Sequence, residues 1–157
     1  MSLRTLFLVP LLLPFTLLAQ GDEKQDVLAT VDRFFAALAL SDTTTIGQLM
    51  VPGSQFVLVE ERAPRTVQII ERDRYLRDIA NHPEDRLLER TWNVEVTVHD
   101  GLATVHAAYD FHVNGRFSHC GHDVFDLALL DGRWMITGGQ FTMRVEGCPP
   151  SPLGPMK

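Results

Sequence analysis

The fold is decided by residues 91–145, whose sequence is TWNVEVTVHDGLATVHAAYDFHVNGRFSHCGHDVFDLALLDGRWMITGGQFTMRV. Four apolar-rich runs alternate there with three turn signals, namely Asp100-Gly101, Asn114-Gly115 and Asp131-Gly132. Asn-Gly and Asp-Gly favour tight hairpins, because both central residues of a type I′ turn need a positive φ. The pattern predicts an antiparallel meander of four strands over residues 91–99, 102–113, 116–130 and 133–145.

Pairing residues across the two outer turns produces one apolar sheet face. A two-residue turn at Asp100-Gly101 places Val96 opposite Val105 and Trp92 opposite Tyr109. A two-residue turn at Asp131-Gly132 also pairs apolar residues, namely Leu129 with Trp134, Leu127 with Ile136, and Phe125 with Gly138. Both outer hairpins are therefore predicted to bury one face.

The middle hairpin does not fit this arrangement. A two-residue turn at Asn114-Gly115 would turn Phe125 away from the face of Val105, since a one-residue slip exchanges the faces of a strand. We therefore predict one unpaired residue, either in a loop at that glycine or as a bulge near Gly121. A second bulge is predicted at Gly138-Gly139, where the apolar alternation changes phase.

The part of the chain before the meander predicts three helices. Residues 22–40 place apolar side chains at helical spacing, and their first turn is acidic, which suits the helix dipole. A second short helix is capped by Ser41 or Asp42 and stops at Pro52-Gly53. Two short strands are predicted at residues 56–60 and 66–70, followed by a third helix at residues 71–80.

These elements predict an α+β domain in which three N-terminal helices pack in the concave face of a long, strongly bent, mainly antiparallel sheet. The chain resembles the exported branch of the NTF2-like (SnoaL-like, cystatin-like cone) superfamily over residues 22–145. The resemblance rests on element order and on two runs, VDRFFAAL at residues 31–38 and LDGRWMI at residues 130–136. It implies a conical cavity at the open end of the sheet and often a homodimer through the outer sheet face. It implies no single activity.

The first 21 residues have the form of a secretory signal peptide. They contain Arg4, an apolar stretch at residues 6–18 and the small-residue end Ala19-Gln20-Gly21. The stretch is shorter than the roughly 20 apolar residues that span a bilayer, so no stable membrane anchor is expected after cleavage. We predict a secreted or periplasmic protein, with the signal at residues 1–21, one domain at 22–147 and a loose Pro-rich tail at 148–157.

The cysteine content predicts a disulfide, and the charge and the missing motifs exclude several functional classes. Cys120 and Cys148 are the two cysteines of the chain, and in an oxidising compartment they are predicted to form a disulfide. The net charge of −6, without a basic stripe, argues against a nucleic-acid partner. No phosphate-binding glycine loop, metalloprotease or thiol-redox motif is present, and no cofactor is predicted.

Function must then come from side chains inside the cavity. Asp123 is the first candidate because it shares the inner face with Phe125, and a carboxylate in an apolar pocket can act as a general acid or base. The alternative is a solvated aspartate at the rim. Tyr109 would polarise a substrate oxygen, unless it is simply a core residue with a satisfied hydroxyl. His119 would join them if the irregularity lies at the Gly115 loop, and would turn outward if it lies at Gly121.

The predicted ligand-binding residues are Trp92, Tyr109, Phe125, Trp134 and Gln140. A metal site is a weaker alternative, because residues 112–126 contain three histidines beside aspartates. Strand alternation scatters these side chains, so no residue is assigned as a metal ligand.

The leading interpretation is an exported domain that binds a small, largely apolar ligand in its conical cavity, or acts as an interaction module, and forms a homodimer. The alternative is an enzyme of the ketosteroid-isomerase, dehydratase or cyclase kind that uses Asp123 for proton transfer.

Overall fold

The computed structural model describes residues 16–156, and for residues 16–22 it describes the backbone alone. The described chain contains helices α1 (Thr16–Ala39), α2 (Thr43–Leu49) and α3 (Arg72–Ala80). Its strands are β1 (Met50–Glu60), β2 (Thr66–Glu71), β3 (Leu87–His99), β4 (Leu102–Val113), β5 (Arg116–Leu130) and β6 (Arg133–Met143), with α3 between β2 and β3. The predicted α+β class is confirmed. Among the residues described, no helix combines the length and the apolar character needed to cross a bilayer.

The predicted signal peptide falls largely outside the described residues. Helix α1 begins at Thr16, earlier than the predicted start at residue 22, so its first residues belong to the predicted signal segment. The signal peptide and its cleavage stay predictions.

The six strands form one mixed sheet in the order β2-β1-β6-β5-β4-β3. Strand β1 pairs with β6 in parallel, and every other neighbouring pair is antiparallel. Strand β1 is longer than predicted, because α2 ends at Leu49 and the chain continues as a strand through Pro52-Gly53. The ladder to β6 is irregular between Met50 and Gln55, and this irregularity accommodates the proline.

One hydrophobic core lies between the helices and the inner face of the sheet. Helix α1 buries the apolar stripe that its sequence predicts, including Val27, Val31 and Phe34. Asp42 caps α2, accepting a hydrogen bond from the backbone N–H of Thr45 at 3.0 Å. The helices meet sheet residues from four strands in the same core, namely Phe56, Val105, Phe125, Leu127 and Ile136.

The hairpin β3–β4 contains a bulge that the turn pattern does not predict. Val96 pairs with Val105 as expected, but the register shifts between Trp92 and Glu95. Trp92 therefore lies opposite Ala108, and the predicted pairing of Trp92 with Tyr109 is wrong. Asn93 inside the bulge has a φ of 52°, which asparagine tolerates better than most residues. The side chains of β3 that precede the bulge therefore lie on the sheet face opposite to the one predicted.

The predicted irregularity in the middle hairpin is confirmed, at a position between the two that were expected. The Asn114-Gly115 turn is tight, and His112 pairs with Phe117. Phe111 then pairs with His119, so Ser118 is the unpaired residue. Because the bulge precedes His119, that side chain lies on the inner face.

The last hairpin has its bulge at Thr137, directly before the predicted Gly138-Gly139. Leu127 pairs with Ile136 as expected, whereas Asp126 pairs with Gly138. The predicted pairing of Phe125 with Gly138 is wrong, because Phe125 pairs with Gly139 beyond the bulge. Asp123 consequently faces Phe141, and Gln140 faces Val124.

The predicted disulfide between Cys120 and Cys148 is present, with 6.0 Å between the two Cα atoms. It fixes the start of the tail, which was predicted to be loose. Farther along, the carbonyl oxygen of Gly154 accepts a hydrogen bond of 3.0 Å from Arg90. The described part of the tail therefore has two attachments to the sheet.

Candidate functional site

A cavity of 280 Å³ lies between the helices and the inner face of the sheet. Its walls are mainly apolar and rich in aromatic rings, and they come from α1, α3 and five strands. The lining consists of Phe34, Leu38, Phe56, Leu58, Tyr75, Ile79, Leu87, Glu89, Tyr109, Phe111, His119, Asp123, Val124, Phe125, Gln140, Phe141 and Met143. Two carboxyl groups, two tyrosines and a histidine are the ionisable groups of this wall.

Asp123 is on the cavity wall, as the strand alternation predicts. Its residue is only 6% exposed, and its Oδ2 atom is buried without an N–H or hydroxyl donor among the described residues. It is therefore not the solvated rim aspartate of the alternative interpretation. A buried carboxylate oxygen without a donor is costly, and such a group calls for an explanation in function.

Glu89 is the site residue that the sequence pattern missed. With a regular β3 ladder Glu89 would face outward, but the bulge at Asn93 places it opposite Phe111 on the cavity face. Its side chain hydrogen-bonds with Asp123. Two carboxyl groups can share such a bond only when one of them holds a proton. The signal in the sequence was Asn93 itself, a residue that is unfavourable inside a regular strand.

The carboxyl pair holds its proton to an unusually high pH. Burial, together with the charge of Asp123, raises the pKa of Glu89 well above its usual range. Burial also raises the pKa of Asp123 from 3.8 to about 6, although the hydrogen bond from Glu89 and the nearby His106 lower it. At neutral pH Glu89 is thus the proton donor, and Asp123 the carboxylate that accepts.

The two tyrosines of the cavity differ in what their hydroxyl groups can do. Tyr109 donates its hydroxyl proton to the carbonyl oxygen of Thr142 at 2.8 Å. The ring lies close to Gly121, where any side chain would overlap both the ring and that carbonyl. This is the core role with a satisfied hydroxyl. Tyr75 on α3 also lines the cavity. Burial, and then the charges of Glu89 and Asp123, raise its pKa, so it stays a proton donor.

His119 joins Asp123 on the cavity wall. Its ring stacks on Phe111 with 4.9 Å between centroids, and its Nδ1 atom lies 3.0 Å from the Ser118 hydroxyl oxygen. Burial lowers the pKa of His119 to about 4, so the ring is neutral at physiological pH. When the hydroxyl donates to Nδ1, the Nε2 atom carries the proton and is a donor.

The remaining predicted ligand-binding residues divide into three groups. Phe125 lines the cavity and contacts Phe34 edge to face, with 5.4 Å between centroids. Trp92 and Trp134 lie outside the lining, since the bulge turns Trp92 to the other face and Trp134 is buried in the core. Gln140 borders the cavity but is an exposed residue on the opposite face from Asp123.

The structure separates the histidines that suggested a metal site. His119 faces the cavity, His112 contacts Asp110 on the other side of the sheet, and His122 stacks on His106. Within the described part of the chain, no three His, Cys, Asp or Glu side chains are arranged to hold a metal ion.

Three helices, a six-stranded mixed sheet and a cavity between them define the class: the chain has the NTF2-like, or cystatin-like, fold. An NTF-2 like protein of unknown function from Silicibacter pomeroyi superposes with a TM-score of 0.61 and 15% identity, over 80% of this chain and 98% of that chain. A protein of unknown function from Mycobacterium tuberculosis superposes with a TM-score of 0.68 and 15% identity, over 83% of this chain and 77% of that chain. A protein described as "Putative Scytalone Dehydratase" from Novosphingobium aromaticivorans superposes with a TM-score of 0.67 and 12% identity, over 82% of this chain and 89% of that chain.

The chain belongs to the family described as "Putative lumazine-binding", whose model matches residues 22–142. This family is consistent with the NTF2-like superfamily, and the resemblance that the sequence indicates is confirmed. No curated protein shows significant sequence similarity to the chain. At 12 to 15% identity, the solved structures establish the fold and leave the activity to the site itself.

Proposed function

We propose that the protein binds a small, largely apolar molecule in the cavity, and that this molecule donates one N–H or O–H hydrogen bond to Asp123. The observation that carries the proposal is the buried carboxyl pair of Asp123 and Glu89 on a mainly apolar wall, in which the Oδ2 atom of Asp123 has no N–H or hydroxyl donor among the described residues. A carboxylate offers about four lone-pair sites, so it can accept from Glu89 and from a ligand together. The ligand thereby adds a donor that the described residues do not supply.

The size and shape of the cavity narrow the ligand class. Its volume of 280 Å³ lies at the lower end of ordinary ligand pockets, which span about 300 to 1,000 Å³. The rings of Phe56, Phe125 and Phe141 offer flat apolar surfaces. One or two fused rings with a single polar edge therefore match the site.

Isothermal titration calorimetry with a matched pair of probes tests the proposal. 2-Naphthol carries the hydroxyl donor, and naphthalene has the same ring system without it. Both should bind, and Asp123→Asn should weaken 2-naphthol about tenfold, because a charge-assisted hydrogen bond becomes a neutral one. The same substitution should leave naphthalene unaffected.

The control variant is Asp126→Asn, which changes a carboxyl group three positions along the same strand that does not line the cavity. It should bind both probes like the unmodified protein. If neither probe binds, or if the two aspartate variants behave alike, the proposed ligand site is wrong.

The family's description suggests lumazine, a bicyclic heterocycle with N–H donors, as a third probe. Binding tighter than that of 2-naphthol, and sensitive to Asp123→Asn, would supply the ligand class. Binding of 2-naphthol without any binding of lumazine would retain the cavity proposal and remove lumazine as the ligand.

The second candidate function is proton transfer, favoured by the proton that Glu89 and Asp123 share. Asp123 would remove a proton from a carbon next to a carbonyl group, while Tyr75 or protonated Glu89 donates to the developing oxygen anion. Proton NMR of 2-tetralone in D₂O tests this by following exchange of its α-protons. Exchange should accelerate as pH rises through about 6 and disappear in Asp123→Asn. Equal exchange rates in the two proteins would exclude this role.

Export and dimerisation accompany the proposal as predictions from the sequence. Native mass spectrometry of protein purified from its periplasm or medium reports the first residue of the mature chain, the oligomeric state and any retained ligand in one measurement. A full-length monomer without a ligand would contradict all three expectations.

A further inference from the structure

A second polar cluster lies on the sheet face opposite the cavity. Arg90 and Asp110 pair across β3 and β4, and the guanidinium donates two hydrogen bonds of 2.7 and 2.6 Å to the carboxylate. The Nε2 atom of His112 lies 3.1 Å from the same carboxylate. Asp110 and His112 are 4% and 5% exposed, although they lie on the outer face of the sheet. Something other than the core must therefore cover them.

The C-terminal tail, residues 149–156, is that cover. Its Gly154 carbonyl accepts a hydrogen bond of 3.0 Å from Arg90, and its Ser151 side chain lies beside Asp110. Burial alone would raise the pKa of Asp110, but Arg90 and Ser151 hold it below the usual range. The groove between tail and sheet is lined by Arg90, Asp110, His112, Gly115, Phe117, Cys120 and tail residues 148–151 and 154–156.

Two features distinguish the tail from the core. Its prolines at positions 149, 150 and 152 are exposed, and its hydrogen bond to the sheet is made by the carbonyl of Gly154. In addition, the Nδ1 atom of His112 is buried without a partner in the described chain, so the groove has one acceptor that the tail does not use. Structural segments seldom leave such an atom unpaired.

We propose that the Arg90–Asp110–His112 cluster is a binding site for a proline-containing peptide that forms a turn, which the protein's own tail fills in this structure with its turn at residues 151–154. Arg90 recognises the backbone carbonyl at the end of the turn, and the serine at its start lies beside Asp110. Proline suits this ligand because its fixed φ favours the second position of a turn, which Pro152 occupies, and because it lacks an N–H that would need a partner. The groove lies on the other sheet face from the cavity, so this site is independent of the ligand proposed there.

The disulfide keeps the tail in the groove. Cys148 directly precedes the tail and is bonded to Cys120 on β5, so the tail is held beside its site at a high effective concentration. A dithiol reductant would supply two electrons and two protons, leaving two thiols on the protein and a disulfide on the reductant. The tail would then be tethered only through the chain at Gly147, and its occupancy of the groove would fall.

Acylation of His112 by diethyl pyrocarbonate, located by mass spectrometry, tests the site. The key variant ends at Cys148, which removes residues 149–157 and keeps the disulfide. His112 should react at least about tenfold faster in this variant, because reaction in the full chain requires the tail to open. The exposed His82 should react equally in both proteins and serves as an internal control.

The second part of the test uses a synthetic peptide with the sequence of the tail, PPSPLGPMK. Added to the shortened variant, it should protect His112 in a saturable way, and the peptide with Ser151 replaced by alanine should protect less well. If His112 reacts at the same rate with and without the tail, the tail is not its cover. If the peptide gives no protection up to its solubility limit, the groove has no affinity for this sequence and the proposal is wrong.

In the event that the shortened variant does not fold, hydrogen exchange of the full chain gives the answer. The amides of Ser151, Leu153, Gly154 and Met156 should exchange slowly in the oxidised protein and faster in Cys148→Ser. Equal exchange in the two proteins would overturn the role of the disulfide in holding the tail.

Discussion

At the scale of single residues, the most consequential group is Asp123. Its carboxylate is buried, lacks an ordinary donor and shares a proton with Glu89. Nothing in the folded chain compensates fully for the loss of water, as the raised pKa records. A group that destabilises the fold is retained where it has another use, and binding sites are where such groups cluster.

Replacing Asp123 with asparagine should stabilise the protein at neutral pH. The folded pKa of about 6 exceeds the ordinary 3.8, so the folded state binds more protons than the unfolded state between these values. The contribution of this carboxyl group to stability is then greatest below about pH 4 and is lost as pH rises through about 6. Relative to wild type, the free energy of unfolding of the variant should be higher by about 3 kcal/mol at pH 8 and nearly unchanged at pH 4. Urea unfolding at the two pH values measures the difference.

The difference between the two pH values reports on the titration of the Asp123–Glu89 pair, because the asparagine removes one carboxyl group and with it the charge that raises the pKa of Glu89. A variant whose stability relative to wild type is the same at pH 4 and pH 8 would mean that Asp123 is not desolvated. Such a result would also weaken the ligand proposal.

The alternation of residues along strands predicted Asp123 and Phe125 on the cavity wall but not Glu89. Side chains on one unbroken stretch of strand keep a common face, which is a local property. Glu89 is separated from the Asp100-Gly101 turn by the bulge, so counting back from that turn assigns it to the wrong face. The third helix was predicted at residues 71–80, but a helical pattern does not reveal that the Tyr75 side chain reaches the cavity.

At the scale of elements, three bulges decide how the strands present their side chains. They lie at Asn93-Val94, Ser118 and Thr137, one in each hairpin of the meander. Each adds one residue to one strand and so exchanges the faces beyond it. Two of them bring His119 and Glu89 onto the wall that carries Asp123.

The bulge at Asn93 should depend on a residue that accepts a positive φ. Its φ is 52°, so Asn93→Val should destabilise the fold by roughly 1 to 2 kcal/mol, because a β-branched residue is strained there. Asn93→Gly should be close to neutral, since the conformational ease of glycine offsets its entropy. Guanidinium unfolding compares the three proteins.

Thr97→Val is the matched control, because Thr97 lies on the same strand in regular pairing with Thr104. It should change the free energy of unfolding by less than about 0.5 kcal/mol. If the valines at positions 93 and 97 have equal effects, the backbone at Asn93 is not specially constrained.

At the scale of the whole molecule, the disulfide and the tail join the last residues of the chain to the outer face of the sheet. The bond closes a segment of 28 residues that includes most of β5 and all of β6. The backbone pairing of Cys120 with Arg144 holds the same region together. One covalent bond and one short ladder thus place the tail across Arg90 and Asp110.

Replacing both cysteines with serine should lower the free energy of unfolding by about 3 kcal/mol, the expected effect for a closed segment of this length. A reductant should produce the same loss in the unmodified protein and none in the variant. Urea midpoints with and without dithiothreitol measure both effects. Equal midpoints for oxidised and reduced protein would show that the bond contributes no stability.

The sequence by itself determined the element order, the three tight turns of the meander and the disulfide partners. These features follow from local rules: the positive φ of Asn-Gly and Asp-Gly turns, the alternation of apolar residues, and the count of two cysteines. Tertiary structure alone decided which faces Glu89, His119 and Gln140 occupy and what covers Asp110. The reason is that a bulge of one residue reverses a face while leaving the local pattern almost unchanged, so only pairing with the neighbouring strand reveals it.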